Sequence, residues 1–395
     1  MPRIPKKKAY PSIDPEGVPG LVSVVVPTYN RAYCLTKSID SALAQTYRNI
    51  EVIVIDDGSS DNTRLLIEKA YASEPRVRYV HQSNGGVAVA RNHGIRLSRG
   101  EFMALLDSDD VWKPWKTEVQ VQVLRERPEV GMTWTDMEAV NPDGELIAPR
   151  FLRTMYSTYQ WFPTTESLFT SAYMLPGELA DRVRSGQLGR VHVGDIFSPM
   201  MMGNLVHTST VLMRRERLAI VGYFPENLRH AGEDYDFHLR TCHAGPVAFV
   251  DAPSIYYRVG WHDQITVKDF NFFFARGYLK SARGYLHADR DRIHLSPSMI
   301  QLLLAQAYEW VGSALFRLGK RRLARRFLIR SLGYQFWQPR VYVTLLRTSL
   351  PHWSDGMLLK GYRAVKRLVR PTPVEIKENQ RRDAVPMPAE TRREL

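Results

Sequence analysis

The chain's first strong pattern is a short, nearly continuous apolar run, LVSVVVPTYN, that ends on proline and asparagine. A valine-rich run of this length without alternation predicts a strand covered on both faces. In CLTKSIDSALAQTY, Leu35, Ile39, Ala42 and Leu43 recur at helical spacing and predict an amphipathic helix. IEVIVIDDGSSDNT repeats the passage from strand to turn and ends in Asp56 and Asp57. Ser59, Ser60 or Asp61 is then placed to cap the helix TRLLIEKAYA. VRYVHQ predicts a third strand, GGVAVARNHGIRLS a further helix and EFMALL a fourth strand. Strands alternating with helices predict an α/β fold with a mostly parallel sheet and helices on both faces. Ligands of such sheets bind beyond the carboxyl ends of the strands, and here those ends carry PTYNR, DDGSSD and DSDD.

Composition narrows the class. With 395 residues the chain is long enough for two packed lobes and further elements. Cys34 and Cys242 are far apart and form no C-x-x-C, which excludes a disulfide framework and a zinc ribbon and fits a reducing compartment. The basic start MPRIPKKKAYPSIDPEGVPG lacks the apolar core of a secretory signal. Nor does the sequence hold an apolar run long enough to span a bilayer, so the expected location is cytoplasmic.

The net charge of +13 is concentrated. Between Trp310 and Arg370 fourteen lysines and arginines face Asp355 alone among acids. LLLAQAYEWVGSALFRL, the break GK and RRLARRFLIRSL predict helix, turn, helix. In the second helix Leu323, Ala324, Phe327, Leu328 and Leu332 share one face, and Arg322, Arg325, Arg326 and Arg330 the other. Such a helix can make peripheral contact with an anionic membrane at the inner face of the cell membrane, or form the solvated face of a helical hairpin. No nucleic-acid motif accompanies the charge, so no nucleic-acid partner is expected. The Pro-rich, charged end RPTPVEIKENQRRDAVPMPAETRREL predicts disorder.

Neither G-x-G-x-x-G after the first strand nor G-x-x-x-x-G-K-[ST] occurs, which argues against a dinucleotide dehydrogenase and a P-loop NTPase. A divalent cation can neutralise phosphates instead, and Asp107 and Asp109 in DSDD are spaced to approach one Mg²⁺ or Mn²⁺. Four stretches in order, VSVVVPTYNR, VIVIDDGSSDNT, NGGVAVARNHG and LLDSDD, resemble the family 2 glycosyltransferases. The resemblance implies a GT-A fold, a Rossmann-like mostly parallel sheet with flanking helices, followed here by a C-terminal helical region. It also implies an inverting, metal-dependent transferase with a nucleotide-sugar donor, a UDP-sugar by expectation. The acceptor would be a hydroxyl of a glycan or lipid-linked molecule in cell-envelope polysaccharide synthesis.

Residue by residue, the resemblance implies that Pro27, Tyr29, Arg31 and Asp57 hold the nucleotide, with Tyr29 stacking on the base. Arg91 lies near it, and Asp107 and Asp109 hold ribose and metal, with Asp110 extending the motif. GEDYDFHLR resembles the segment whose aspartate is the general base, which is Asp234 here, with Glu233 beside it and Asp236 an ordinary helix-start acid. His262, in YYRVGWHDQIT, matches a histidine that approaches the metal or diphosphate, and Trp261 could stack on sugar. One departure is GYFPE, where many members read GGFDE; Pro225 replaces the acid. Residues 141–203 follow no family pattern but carry Tyr156, Tyr159, Trp161, Phe162, Phe169 and Tyr173, which can line an acceptor pocket or simply pack. The expected divisions are a basic tail 1–20, a nucleotide-sugar half 21–130, an acceptor half 131–268, basic helices 269–370 and a disordered tail 371–395. Two rival readings are a non-catalytic membrane-associated scaffold and a nucleotidyltransferase that makes a nucleotide sugar.

Overall fold

The computed structural model describes residues 11–182, 189–228, 232–260 and 271–349. Strands β1 (Val18–Thr28), β2 (Ile50–Asp56), β3 (Val77–His81) and β4 (Gly100–Leu105) alternate with helices α1 (Leu35–Leu43), α2 (Thr63–Ala70) and α3 (Val87–Leu97). The four strands are parallel and stand in the order β3-β2-β1-β4, as the alternation predicts. Val24, Val25, Val26, Ile53 and Ile55 are wholly buried, so the continuous apolar runs do mark two-sided burial. None of the three candidate caps holds the N-cap of α2, which is Asn62 without a side-chain cap bond; Asp61, one residue earlier, accepts the Thr63 amide on Oδ1 at 3.0 Å. Ser59 instead accepts the Asn30 amide and ties the first two strand ends together.

Beyond β4 come β5 (Val111–Trp112), α4 (Lys116–Glu126), β6 (Met132–Val140), β7 (Leu146–Ala148), α5 (Leu152–Met155), β8 (Ser171–Met174) and α6 (Gly177–Arg182). They are followed by β9 (Arg190–Gly194), α7 (Phe197–Met201), β10 (Leu212–Arg214), α8 (Arg215–Val221), α9 (Glu233–His243) and β11 (Val247–Arg258). Among the described residues eleven strands form one sheet, which continues from β4 as β10-β6-β11-β9-β8. The three-residue β10 joins the halves: it runs antiparallel to both β4 and β6, with Leu212 opposite Ala104 and Thr133. In the far half β11 is parallel to β6 and antiparallel to β9 and β5.

Helix α3 lies unusually close to the sheet. A Cβ placed on Gly94 would sit 2.2 Å from Val25 Cγ1, so only glycine lets α3 approach β1 this tightly. Gly94→Ala is therefore expected to cost about 1–3 kcal/mol by overpacking and to shift the side chains that α3 carries. Thermal denaturation together with nucleotide titration measures both effects; unchanged values would mean that the contact relaxes freely.

The chain divides into two compact units, one holding the strands and helices up to Gly260 and the other the helices from Asn271 on. The second comprises α10 (Asn271–Ala288), α11 (Pro297–Arg317), α12 (Arg321–Tyr334) and α13 (Pro339–Ser349). Ser296 caps α11 by accepting the Met299 amide, with proline in the first turn. Gly319, at φ +73°, makes the predicted break. The apolar seam of α12 is narrower than the sequence pattern predicts. Ala324, Leu328 and Ser331 are buried, Ser331 Oγ donates to Ala305 O at 2.7 Å, and Leu328 sits over Gly312 of α11. Leu323 lies about 100° around the helix from Ala324 and is exposed. Arg322, Arg325, Arg326 and Arg330 are exposed as expected. Among the described residues no helix is long and apolar enough to cross a membrane. Trp261, His262, the first half of the basic tail and residues 350–395 lie outside the described residues.

Candidate active site

The acids of DSDD fall in a tight turn after β4. The Asp110 amide donates to Asp107 O at 3.1 Å, so the side chains three apart are carried toward each other. Helix α1 holds the turn from behind, where Ser38 Oγ donates to Ser108 O at 2.9 Å. From the front Ser209 Oγ accepts the Asp107 amide at 3.0 Å, and Trp112 Nε1 donates to Ser209 O at 2.9 Å. Beneath Trp112 lies Lys116, fully buried, its Nζ 4.0 Å from the ring centroid and 2.7 Å from Gln120 Oε1. Burial lowers the Lys116 ammonium well below its ordinary value. With its oxygen so engaged, Gln120 turns its amide hydrogens to Thr210 O.

Asp107, Asp110 and His207 each bring a donor atom within 4.8 Å of the others. His207 Nε2 lies 3.3 Å from Asp110 Oδ2, and its Nδ1 lies 3.3 Å from the Tyr156 hydroxyl. Burial works against the imidazolium, but the hydrogen bond and charge of Asp110 raise it above the ordinary histidine value. The sequence paired Asp107 with Asp109; in the structure Asp109 instead turns to Arg31, with Nη2 3.7 Å from Oδ2. Burial, with the charges of Asp110 and Asp107, pushes the Asp109 carboxyl up to about 6. Two carboxylates suit Mn²⁺ or Mg²⁺ by donor type and imidazole is a common metal ligand, so the residues present fit a divalent ion; His262, which the resemblance puts near the metal, lies outside the described residues.

Arg91 joins the halves. From α3 its Nη2 donates to Asp107 Oδ1 at 2.8 Å and its Nη1 to Glu233 Oε1 at 3.0 Å, while the guanidinium lies 5.3 Å from the Phe224 ring centroid. Burial opposes the Asp107 carboxylate, but the charge and hydrogen bond of Arg91 hold it below the ordinary value. Glu233 goes the other way: burial and the Asp234 charge push it up to about 7 despite Arg91. The neighbouring Asn92 exchanges two bonds with Phe224, donating to its carbonyl at 3.0 Å and accepting its amide at 2.8 Å, and also donates to Glu226. GYFPE thus keeps one acid in contact with α3, although Pro225 replaces the other.

Asp234 opens α9 beside Glu233, partly exposed, its Oδ1 accepting the Tyr235 amide. Asp236 pairs with Arg240 along the helix surface, the ordinary role the sequence gave it. One turn after Asp234, His238 is fully buried with Nε2 3.4 Å from Thr208 Oγ1. Burial and the charges of Arg91 and His207 push it down to about 3, so it is neutral. Tyr156 comes from the patternless segment; burial and the Asp234 charge raise its phenol well above the ordinary value. Two other aromatics there pack: Tyr159 donates to Leu205 O and Phe169 lies against Trp134 and Phe249.

Tyr29, 50% exposed at the end of β1, presents a free ring face, whereas Pro27 is buried in the strand. Asp57 is engaged with its own loop: Oδ1 accepts Gln82 Nε2 and the Gly85 amide, and Oδ2 the Gly86 amide. Arg31 also donates to the Tyr33 hydroxyl at 2.7 Å. The structure thus brings Asp107, Arg91, Glu233 and Asp234 to one place and adds Asp110, His207 and Tyr156. His207 follows a stretch, GNLV, with no periodic signal, and only its fold neighbours reveal it.

Glu233 makes stability depend on pH. Its folded-state value lies above that of the unfolded chain, so between about 4.5 and 7 the native protein holds a proton that the unfolded one has released. Relative to Glu233→Gln, the wild type is expected to lose of order 1–3 kcal/mol as pH rises through that window. Melting curves of both proteins from pH 5 to 8 measure it; parallel curves would place Glu233 near its ordinary value.

A four-stranded parallel half bearing acids at its strand ends, joined through one short antiparallel strand to a mixed half bearing the second acid pair, is a GT-A architecture. Residues 23–173 match the model of glycosyl transferase family 2. The chain is 38% identical over 143 residues to the chondroitin synthase of Pasteurella multocida strain Pm70 and, over the same length, to a hyaluronan synthase of Pasteurella multocida. Each match covers 35% of this chain and 15% of the relative, so the match spans only a small part of these synthases. Among solved structures, S. aureus TarS 1–349 in complex with UDP-GlcNAc aligns with a TM-score of 0.52 over 87% of this chain and 92% of that one. At 17% identity this is a likeness of fold.

Proposed function

We propose that the chain is a metal-dependent, inverting glycosyltransferase that moves a sugar from a UDP-sugar to a hydroxyl of a glycan or lipid-linked acceptor in cell-envelope polysaccharide synthesis. The observation that carries this reading is the Arg91 guanidinium, which bonds one acid from DSDD and one from GEDYD and so gathers donor-side and acceptor-side carboxylates in one cleft. The names of the chondroitin and hyaluronan synthases, and the UDP-GlcNAc complex of TarS, support a UDP-sugar and a polysaccharide product.

On this reading Tyr29 stacks on the uracil ring, and Pro27 and Asp57 keep the loop beneath it in place. Arg31 and Asp109 face the ribose and phosphates. Asp107, Asp110 and His207 hold Mn²⁺ or Mg²⁺, which supplies Lewis-acid stabilisation to the leaving diphosphate when bound. Arg91 keeps Asp107 ionised for that task. Asp234 accepts the proton of the acceptor hydroxyl as its oxygen attacks the anomeric carbon on the face opposite the diphosphate, a single displacement that inverts configuration. Glu233 orients the start of α9 through Arg91. The proposed setting is the cytoplasmic face of a cell membrane, with the basic helices toward anionic lipid.

The test is nucleotide release from a panel of UDP-, GDP- and dTDP-sugars with Mn²⁺ or Mg²⁺. Hydrolysis or transfer of at least one UDP-sugar is expected, abolished by EDTA and restored by metal. No turnover of any donor with either ion would overturn the reading; pyrophosphate release from a nucleoside triphosphate would replace it with nucleotidyl transfer.

A further inference from the structure

The helical unit exposes two large aromatics side by side: Phe336 and Trp337, each 75% exposed, at the turn between α12 and α13. Such exposure is costly in water, and the turn is not a loose one. Gln338 Nε2 donates to Ser331 O at 3.1 Å and to Gln335 O at 2.7 Å, and the Gln338 amide donates to Phe336 O. From α13 the Tyr342 hydroxyl closes on the same carbonyl, Phe336 O, at 3.0 Å, and its ring meets Phe336 edge-on. The aromatic pair is held out by a built support.

Its surroundings are of one charge. From Arg317 to Arg347 the sequence has nine lysines and arginines and no carboxylate. Arg322, Arg326, Arg330 and Arg340 are exposed, and Leu323 and Ile329 are exposed between the arginines of α12. Ala324 and Leu328, at the centre of the amphipathic stripe read from the sequence, are buried, Leu328 against Gly312 of α11, so of that stripe Leu323 is the exposed apolar residue. A surface that presents tryptophan, phenylalanine and arginine together matches the headgroup region of an anionic bilayer, where indole and phenyl rings settle and arginine meets phosphate.

We propose that the Phe336–Trp337 turn is a membrane-docking tip that inserts at the interface of an anionic bilayer, with Arg322, Arg326, Arg330 and Arg340 bearing on the lipid phosphates. The inference refines the proposed membrane setting and is independent of whether the chain transfers a sugar.

The full chain is sedimented with vesicles of phosphatidylcholine alone and of phosphatidylcholine with phosphatidylglycerol, at low and high salt. Wild type is expected to bind only the phosphatidylglycerol vesicles, and high salt to weaken it. Phe336→Ala/Trp337→Ala is expected to bind at least ten-fold more weakly with an unchanged melting temperature. Arg322→Gln/Arg326→Gln/Arg330→Gln is expected to lose the salt dependence as well as affinity. Wild-type affinity in the aromatic double variant would overturn the tip while leaving charge-driven lipid contact standing. No binding by wild type would overturn both. A wild-type dimer that the aromatic double variant converts to monomer, with no difference on vesicles, would assign the pair to a second copy of the chain. Donor turnover in solution is expected to be the same in all variants, which separates this result from the transferase test.

Discussion

Asp234→Asn is expected to lower sugar transfer by about 10²–10⁴, the range by which a positioned general base accelerates proton removal. The substitution keeps the shape of the side chain and its acceptance of the Tyr235 amide at the start of α9. It removes the ability to take a proton. UDP-sugar affinity, measured by calorimetry, is expected to stay within a few-fold, because the groups proposed to hold the donor are Tyr29, Asp107 and their neighbours. A variant that still transfers at the wild-type rate would exclude Asp234 as base. One that loses donor affinity in step with rate would make it a binding residue.

Arg91 should show the largest effect on stability. It is buried, and the two acids it pairs with, Asp107 and Glu233, come from different halves of the unit. Arg91→Met leaves the buried Glu233 and the part-exposed Asp107 without their cation, and breaking a buried pair such as that with Glu233 costs about 3–5 kcal/mol. For a unit of this size that lowers the melting temperature by roughly 10 °C. Arg91→Met combined with Glu233→Gln should recover part of the loss, since one of the stranded charges is gone; the double-mutant cycle measures the coupling. A single variant that melts within 2 °C of wild type would mean that the guanidinium does not bridge the acids in solution.

Much of the four-stranded parallel half is legible in the chain because its physics is local. Valine-rich runs two-sided in burial, helical repeats between them and acids at the strand ends all lie within a hundred residues, and each element carries its own signal. The mixed half beyond β4 is less legible. β10 is three residues long and carries no period, yet it joins the two halves of the sheet. His207 meets Asp110 across 97 positions in sequence, a pairing that tertiary packing alone creates. Lys116 reads as a surface cation from its type and is fully buried beneath Trp112. In α12 the pattern gives the right helix and the right arginine face, but Leu323 lies about 100° around the helix from Ala324 and off the buried seam of Ala324, Leu328 and Ser331. Asp109 and Asp110 could not be told apart by spacing; the turn that carries them decides which approaches Asp107 and which faces Arg31.

The pair of bonds between Asn92 and Phe224 has a bearing on how such enzymes could be recombined. Together with Arg91 it forms a three-point connector on one turn of α3, needing from the opposite half only an acid and the amide and carbonyl of one peptide residue. A chimera that grafts a foreign half after residue 130 has to supply those groups at Phe224 and Glu233 as well as the strand that pairs with β4. One that omits them would bury an unanswered amide at its seam and leave the Arg91 guanidinium without its Glu233 partner.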